Sequence, residues 1–132
     1  MLRKHIKLKG FPRGAHLITS AITEELSEIS NIDCGLLNLF LLHTSAALSI
    51  NENADSRVQS DLSMGLDRIV PESWPYAHDE EGPDDMPAHI KSTIVGASLT
   101  IPIERGRFSI SIKVDDHPIS LIPTHTANRT EG

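Results

Sequence analysis

The stretch from His43 to Asn51 constrains the fold more than any other part of the chain, because its side chains sort cleanly at a period of two. In an extended strand successive side chains point to opposite faces. Leu42, Thr44, Ala46, Leu48 and Ile50 therefore share one face, while His43, Ser45, Ala47, Ser49 and Asn51 share the other. The first face is expected to pack a core, and the second is a floor of small residues with an imidazole at its edge. The floor runs on into Glu52, Asn53 and Asp55, which gathers a base, hydroxyls, amides and carboxylates into one short segment and marks a candidate site.

The segments around this strand supply the rest of a mixed fold. Arg3, Lys4, Lys7, Lys9 and Arg13 alternate with Leu2, Ile6 and Leu8, the pattern of an edge strand whose cations discourage edge-to-edge pairing. That basic stretch has no tyrosine or tryptophan for stacking bases, so no nucleic-acid partner is expected. Ile18, Ile22, Leu26 and Ile29 recur at helical spacing, with Thr19 or Ser20 as a cap and Glu24 and Glu25 in the first turn. Gly35 to Leu42 is a nearly unbroken run of Leu and Phe, expected to be a central strand covered on both faces. Asp55 is placed to cap a second helix with Val58, Leu62, Leu66 and Ile69 on one stripe and Pro71 beyond its end.

Pro71 to Pro87 reads as a long acidic loop, with His78 near its start and His89 at its exit. A short helix near Ile90 ends at Gly96, a strand follows through Leu99, Ile101 and Ile103, and Glu104-Arg-Gly-Arg107 is a hairpin turn. Phe108 to Val114 alternates as a strand and is expected to hold order to about Asp115. Ile119-Ser-Leu-Ile122 is too short to span a sheet before Pro123, so the chain after residue 123 is expected to be poorly ordered or strand-swapped.

With 132 residues, 39% hydrophobic and 23% charged, the chain is expected to form one globular domain over residues 1–132. Aromatics are only 4%, so its core must be aliphatic. No apolar run approaches the roughly 18–20 residues of a membrane span, the N-terminus lacks a signal-peptide pattern, and Cys34 is a lone cysteine. A cytoplasmic protein without a membrane partner is the expectation. A dinucleotide fingerprint, a phosphate-binding P-loop and a cysteine-rich finger are all missing from the sequence.

Chemistry concentrates on three histidines from separate segments: His43 leaving the alternating strand, and His78 and His89 bracketing the proline-rich loop. Three imidazoles brought together in this way would suit an open, catalytic divalent metal site, with zinc or magnesium as the candidate ion. A lone histidine is more often a surface or hydrogen-bonded residue, and that ordinary reading stands beside each of them. Asp85 precedes His89 by four residues, so on a first helical turn it would orient that ring. Ser45 shares a face with His43 but lacks a nucleophile elbow, which favours a hydrogen bond to a substrate oxygen over a nucleophilic role. For Asp55 helix capping ranks first, and for Asp79, Glu80 and Asp84 simple solvation does.

His43-Thr-Ser-Ala46, Asn51-Glu-Asn-Ala-Asp55, the run from His78 to Lys91 and Gly96-Ala-Ser-Leu-Thr-Ile-Pro-Ile103 together resemble the YjbQ family, also catalogued as UPF0047. The resemblance covers about the first 108 residues. It implies an α+β fold, a seven-strand β-sandwich with two main helices, assembled as a homotrimer with sheets packed around the threefold axis. It also implies a secondary thiamine-phosphate synthase activity, in which the nitrogen of a thiazole phosphate forms a bond to the carbon of a pyrimidine pyrophosphate and pyrophosphate leaves. On that chemistry Glu52 is the candidate acid or base, Ser45 and Asp85 assist, and Asn53 and Lys91 contact the phosphorylated small molecule. The alternative is a non-catalytic oligomeric module that holds a metal or small anion. Residues 109–132 depart from the family pattern, because Phe108-Ser-Ile-Ser-Ile stands where members carry Gly-Thr-Trp-Gln-Gly-Ile. Either the tail has diverged, or a difference of reading frame or splicing has replaced it.

Overall fold

The computed structural model describes residues 1–52 and 54–109, with 119–123 described as backbone. Along the chain run β1 (His16–Leu17), α1 (Thr19–Glu25), a 3-10 segment (Ser27–Asn31), β2 (Cys34–Phe40), β3 (Ala46–Ile50), α2 (Arg57–Ile69), α3 (Asp85–Val95), β4 (Ser98–Glu104), β5 (Arg107–Phe108) and β6 (Ile119–Pro123). The strands form two three-stranded antiparallel sheets, ordered β1-β6-β3 and β2-β4-β5. The class is α+β. Six strands and three α-helices lie among the described residues, the third being the short helix expected before Gly96. No helix among them is long and apolar enough to cross a membrane.

β3 is the strand on which the layers meet. Leu48 packs into the main core with Ile18, Ile22, Leu26, Ile29, Ile101 and Ile103, whereas Ala47 on its other face packs with Leu62 and Leu66 of α2 and Val95 of α3. Both faces are therefore covered. The small-residue floor is small because helices lie on it: Ala47 is 0% exposed, and a larger side chain would push the helix layer away. The two sheets join beside this strand, where Leu48 N–H donates to Gly96 O (3.0 Å) and Leu41 N–H donates to Ala97 O (2.8 Å).

The apolar stripe Ile18, Ile22, Leu26 and Ile29 is buried as its spacing requires, but it does not lie on one helix. The α-helix stops at Glu25 and a 3-10 segment continues from Ser27, so Glu24 and Glu25 fall at the end of α1 rather than in its first turn. Its N-cap is Ile18, which contributes no side-chain cap, in place of Thr19 or Ser20. Burial of the stripe, not capping, holds this segment.

Two strand expectations are corrected. Met1 to Lys9 is not in a sheet; it lies over the core through partly buried Ile6 and Leu8, with Lys4 donating to Glu25 O and pairing with Glu28 at 3.2 Å. β2 is not covered on both faces: Leu37 and Leu39 face the core, while Leu36 and Phe40, with Leu42 just beyond the strand, are exposed. An unbroken apolar run signals two buried faces, and this chain supplies cover for one.

α2 carries its stripe through Val58, Leu62 and Leu66, but Ile69 is exposed and Val70 takes the buried place at its end. Asp55 acts near its start, where Oδ1 accepts from Arg57 N–H at 2.9 Å, although the cap position itself is Ser56. α3 begins within the segment expected to be loop, because Pro87 sits in its first turn, where a missing N–H breaks no helical bond. Gly96, at φ 101°, ends it as expected. Arg105 (φ 51°) and Gly106 (φ 75°) form the tight two-residue turn between β4 and β5.

At the C-terminal end, Ile119–Pro123 is not too short for the sheet. It lies between β1 and β3 and pairs with β3 along all five residues, Ile119 opposite Ile50 and Pro123 opposite Ala46. Pro123 is the strand's last residue, beyond the part of β6 that pairs with β1. Residues 110–118 and 124–132 lie outside the described residues, and with them most of the expected strand Phe108 to Val114 and the expected disorder of the tail.

Candidate metal centre

The site is assembled where α3 docks on the N-terminal end of β3. Ser92 Oγ donates to Ala46 O at 2.7 Å and fixes the helix against the strand. Asp85 and His89, one helical turn apart, share a face of α3, and the preceding loop returns His78 to the same place. One carboxylate oxygen, Asp85 Oδ2, lies 2.7 Å from His78 Nε2 and 3.4 Å from His89 Nε2. The two rings meet edge to face with centroids 5.6 Å apart. His89 Nδ1 donates to Thr44 O at 3.0 Å, which orients its ring from the β3 side.

Burial gives this group a polarity. The Asp85 side chain is 4% exposed, His89 30% and His78 51%, so the carboxylate forms the floor and the rings form an open rim. Glu81 Oε2 stands 3.8 Å from His78 Nε2 on that open side. One ligand atom from each of His78, Asp85 and His89 can be chosen so that all lie within 4.8 Å of one another. Ligands around a tetrahedral zinc ion at about 2.0–2.1 Å would sit about 3.3–3.4 Å apart, close to the Asp85–His89 spacing already present. The donor set fits a divalent ion after a small opening of the His78–Asp85 hydrogen bond. Two imidazoles and one carboxylate suit zinc and its neighbours, whereas magnesium prefers an all-oxygen shell.

The other residues singled out in the sequence fall elsewhere. His43 is exposed and outside this group; its Nδ1 is 3.1 Å from both the backbone N and Oγ of Ser45. Ser45 is buried, so its hydroxyl backs His43. Glu52 follows the opposite end of β3: from Ser45 to Ile50 the strand rises about 16 Å, and Glu52, exposed, lies beyond that. Asn53 lies outside the described residues. Lys91, expected as a substrate contact, lies two residues past His89 on the other side of α3, is buried, and its ammonium pairs with Asp67 of α2.

That last contact belongs to a network the sequence did not reveal. Asp67 also takes Arg13 at 2.6 Å, and Arg13 pairs with Glu72. Burial would raise the Asp67 pKa, but hydrogen bonds from Lys91 and Arg13 outweigh it and hold the carboxyl below its ordinary range. Burial acts to lower the Arg13 pKa, and its bonds to Asp67 and Glu72 more than offset this and raise it. Thr44 was also missed, because it serves through its carbonyl and any residue type could supply one.

Comparison with known proteins places the chain in a family. The model of the "UPF0047 protein YjbQ-like" family matches residues 4–113. The UPF0047 protein YjbQ of Salmonella typhimurium is 47% identical over 108 residues, 82% of this chain and 78% of that protein. The UPF0047 protein YjbQ of Escherichia coli O157:H7 is 45% identical over 105 residues, 80% and 76% of the two chains. Among solved structures, an uncharacterized conserved protein of the yjbq/upf0047 family from Clostridium acetobutylicum superposes with a TM-score of 0.72 at 31% identity, covering 84% of this chain and 81% of that one. A hypothetical protein from Aeropyrum pernix gives a TM-score of 0.76 at 26% identity over 89% and 84%. With its fold shared by solved relatives and its sequence matched over most of its length, the chain belongs to the UPF0047 YjbQ-like family.

Proposed function

We propose that this chain is a metal-dependent enzyme acting on a phosphorylated small molecule, with a secondary activity like that of a thiamine-phosphate synthase. The observation that carries the reading is the Asp85 carboxylate, only 4% exposed and flanked by two imidazoles, one of them held from behind by a backbone carbonyl. A buried carboxylate needs a cation or several hydrogen bonds, and an oriented histidine beside it is the arrangement that tunes metal ligands. His78, Asp85 and His89 would hold the ion, and the half-exposed His78 side leaves room for a ligand to approach. When bound, a divalent ion there neutralises charge developing on a departing phosphate or pyrophosphate.

The chain's own residues supply the frame for that chemistry. Asp85 sets the spacing of the two rings, Thr44 O fixes the His89 ring, and Ser92 keeps α3 seated on β3. Glu52 and Lys91 carry no part in this scheme within one chain. The exposed apolar face of Leu36, Phe40 and Leu42 supports a homotrimer in which neighbouring copies cover β2. A seven-strand sandwich and a cytoplasmic location complete the proposal. The test is an assay of purified protein with a pyrimidine pyrophosphate and a thiazole phosphate, before and after chelation and after metal restoration. Turnover lost on chelation and recovered with zinc is the expected result; turnover indifferent to chelator refutes a metal-dependent reaction.

A further inference from the structure

The Nδ1 atoms of His43 and His89 meet partners of opposite kind. A neutral imidazole has one N–H and one lone pair, so whatever one nitrogen does decides what the other offers. At His89 the partner of Nδ1 is Thr44 O, which only accepts, so Nδ1 carries a proton and Nε2 is the nitrogen turned toward Asp85. At His43 the partners of Nδ1 are the backbone N–H of Ser45 at 3.1 Å, which only donates, and the Ser45 hydroxyl at the same distance, which can donate as well. Nδ1 is therefore the acceptor, and the proton sits on Nε2. An Nε2–H cannot ligate a metal, and ligation through Nδ1 would strip the hydrogen bond from the amide of a buried residue.

We infer that His43 is a fixed Nε2–H donor to an anionic oxygen of the molecule bound at the His78–Asp85–His89 site, and not a metal ligand. This rests on the proposed metal site and names the chemistry of its ligand. His43 directly precedes Thr44, whose carbonyl accepts from His89, so adjacent residues of the segment leading into β3 hold both rings. A donor beside a cation matches a ligand with several charged oxygens, such as a phosphate or pyrophosphate, which can meet the ion with one oxygen and the imidazole with another.

Three readouts test it. In the metal-free protein, long-range proton–nitrogen NMR of the histidine rings should show the proton on Nε2 for His43 and on Nδ1 for His89; a proton on Nδ1 of His43 overturns the inference whether or not any metal binds. Zinc titration should give His43→Ala an affinity within about threefold of the parent, while His89→Ala falls about a hundredfold or more, beyond the usual effect of outer-shell changes. An equal fall for His43→Ala overturns the inference. A parent that binds no zinc refutes the metal site instead, and the NMR result still stands. Inorganic pyrophosphate added to the zinc-loaded proteins should bind His43→Ala about tenfold or more weakly, as expected for a hydrogen bond to a charged group, with His43→Gln recovering part of the loss through its amide donor. Unchanged pyrophosphate affinity in His43→Ala overturns the inference.

Discussion

Replacing Asp67 with Asn removes the carboxylate that faces the Lys91 ammonium and keeps the side-chain shape. Lys91 is 4% exposed on its side chain and Asp67 is 45% exposed, so the pair spans the boundary between interior and solvent. Exposed pairs contribute about 0–1 kcal/mol, and breaking a fully buried pair costs about 3–5 kcal/mol because a charge is left stranded. With one partner buried and one half open, a loss of about 2–3 kcal/mol is expected. For a chain of this length that lowers Tm by about 10 °C at fixed protein concentration. Lys91→Met removes the charge and keeps the stem, so Asp67→Asn in that background should cost less than half as much. The assay is urea unfolding followed by circular dichroism for the two single variants and the double variant. Additive losses, with no coupling between the two sites, would refute the claim that Asp67 stabilises α3 through Lys91.

The same carboxyl gives a pH dependence. Its folded pKa is lowered, so its contribution is complete above the unfolded value of about 3.9 and is lost as pH falls through the folded one; parent stability should drop below about pH 4, with a shallower acid limb in Asp67→Asn. Gly106→Ala should destabilise by about 1–3 kcal/mol in thermal unfolding, since its φ is +75° and a Cβ would stand 2.7 Å from Ser30 O. Phe40→Glu, on the exposed face of β2, should shift the sedimenting species from trimer toward monomer while leaving the helical signal intact; a parent that sediments as a monomer removes the basis for the proposed assembly.

What could be read from the sequence was whatever follows from periodicity. The two faces of β3, the burial of the stripe from Ile18 to Ile29 and the stop at Gly96 each rest on one local rule and are seen, although Leu42 and Thr44 are exposed instead of on the core face and the stripe is shared between α1 and a 3-10 segment. The i, i+4 relation of Asp85 and His89 was legible for the same reason, although the start of α3 was hidden by Pro87, a residue that breaks a helix interior but is tolerated in a first turn. The failures are tertiary. Exposure of Leu36 and Phe40 depends on which segments cover β2, and the seat of Ile119–Pro123 between β1 and β3 depends on pairing across the whole chain. The direction of Lys91 followed from helical geometry once α3 was known, but its acid on α2 did not.

Stoichiometric zinc binding, read by competition with a chromogenic chelator in the parent, Asp85→Asn and His89→Ala, tests the metal centre most directly. Binding of one zinc per chain in the parent is expected, with affinity reduced about a hundredfold or more in both variants while their circular dichroism stays native. A folded parent that takes up no zinc, or an Asp85→Asn variant that binds it as tightly as the parent, would contradict a metal site built on His78, Asp85 and His89.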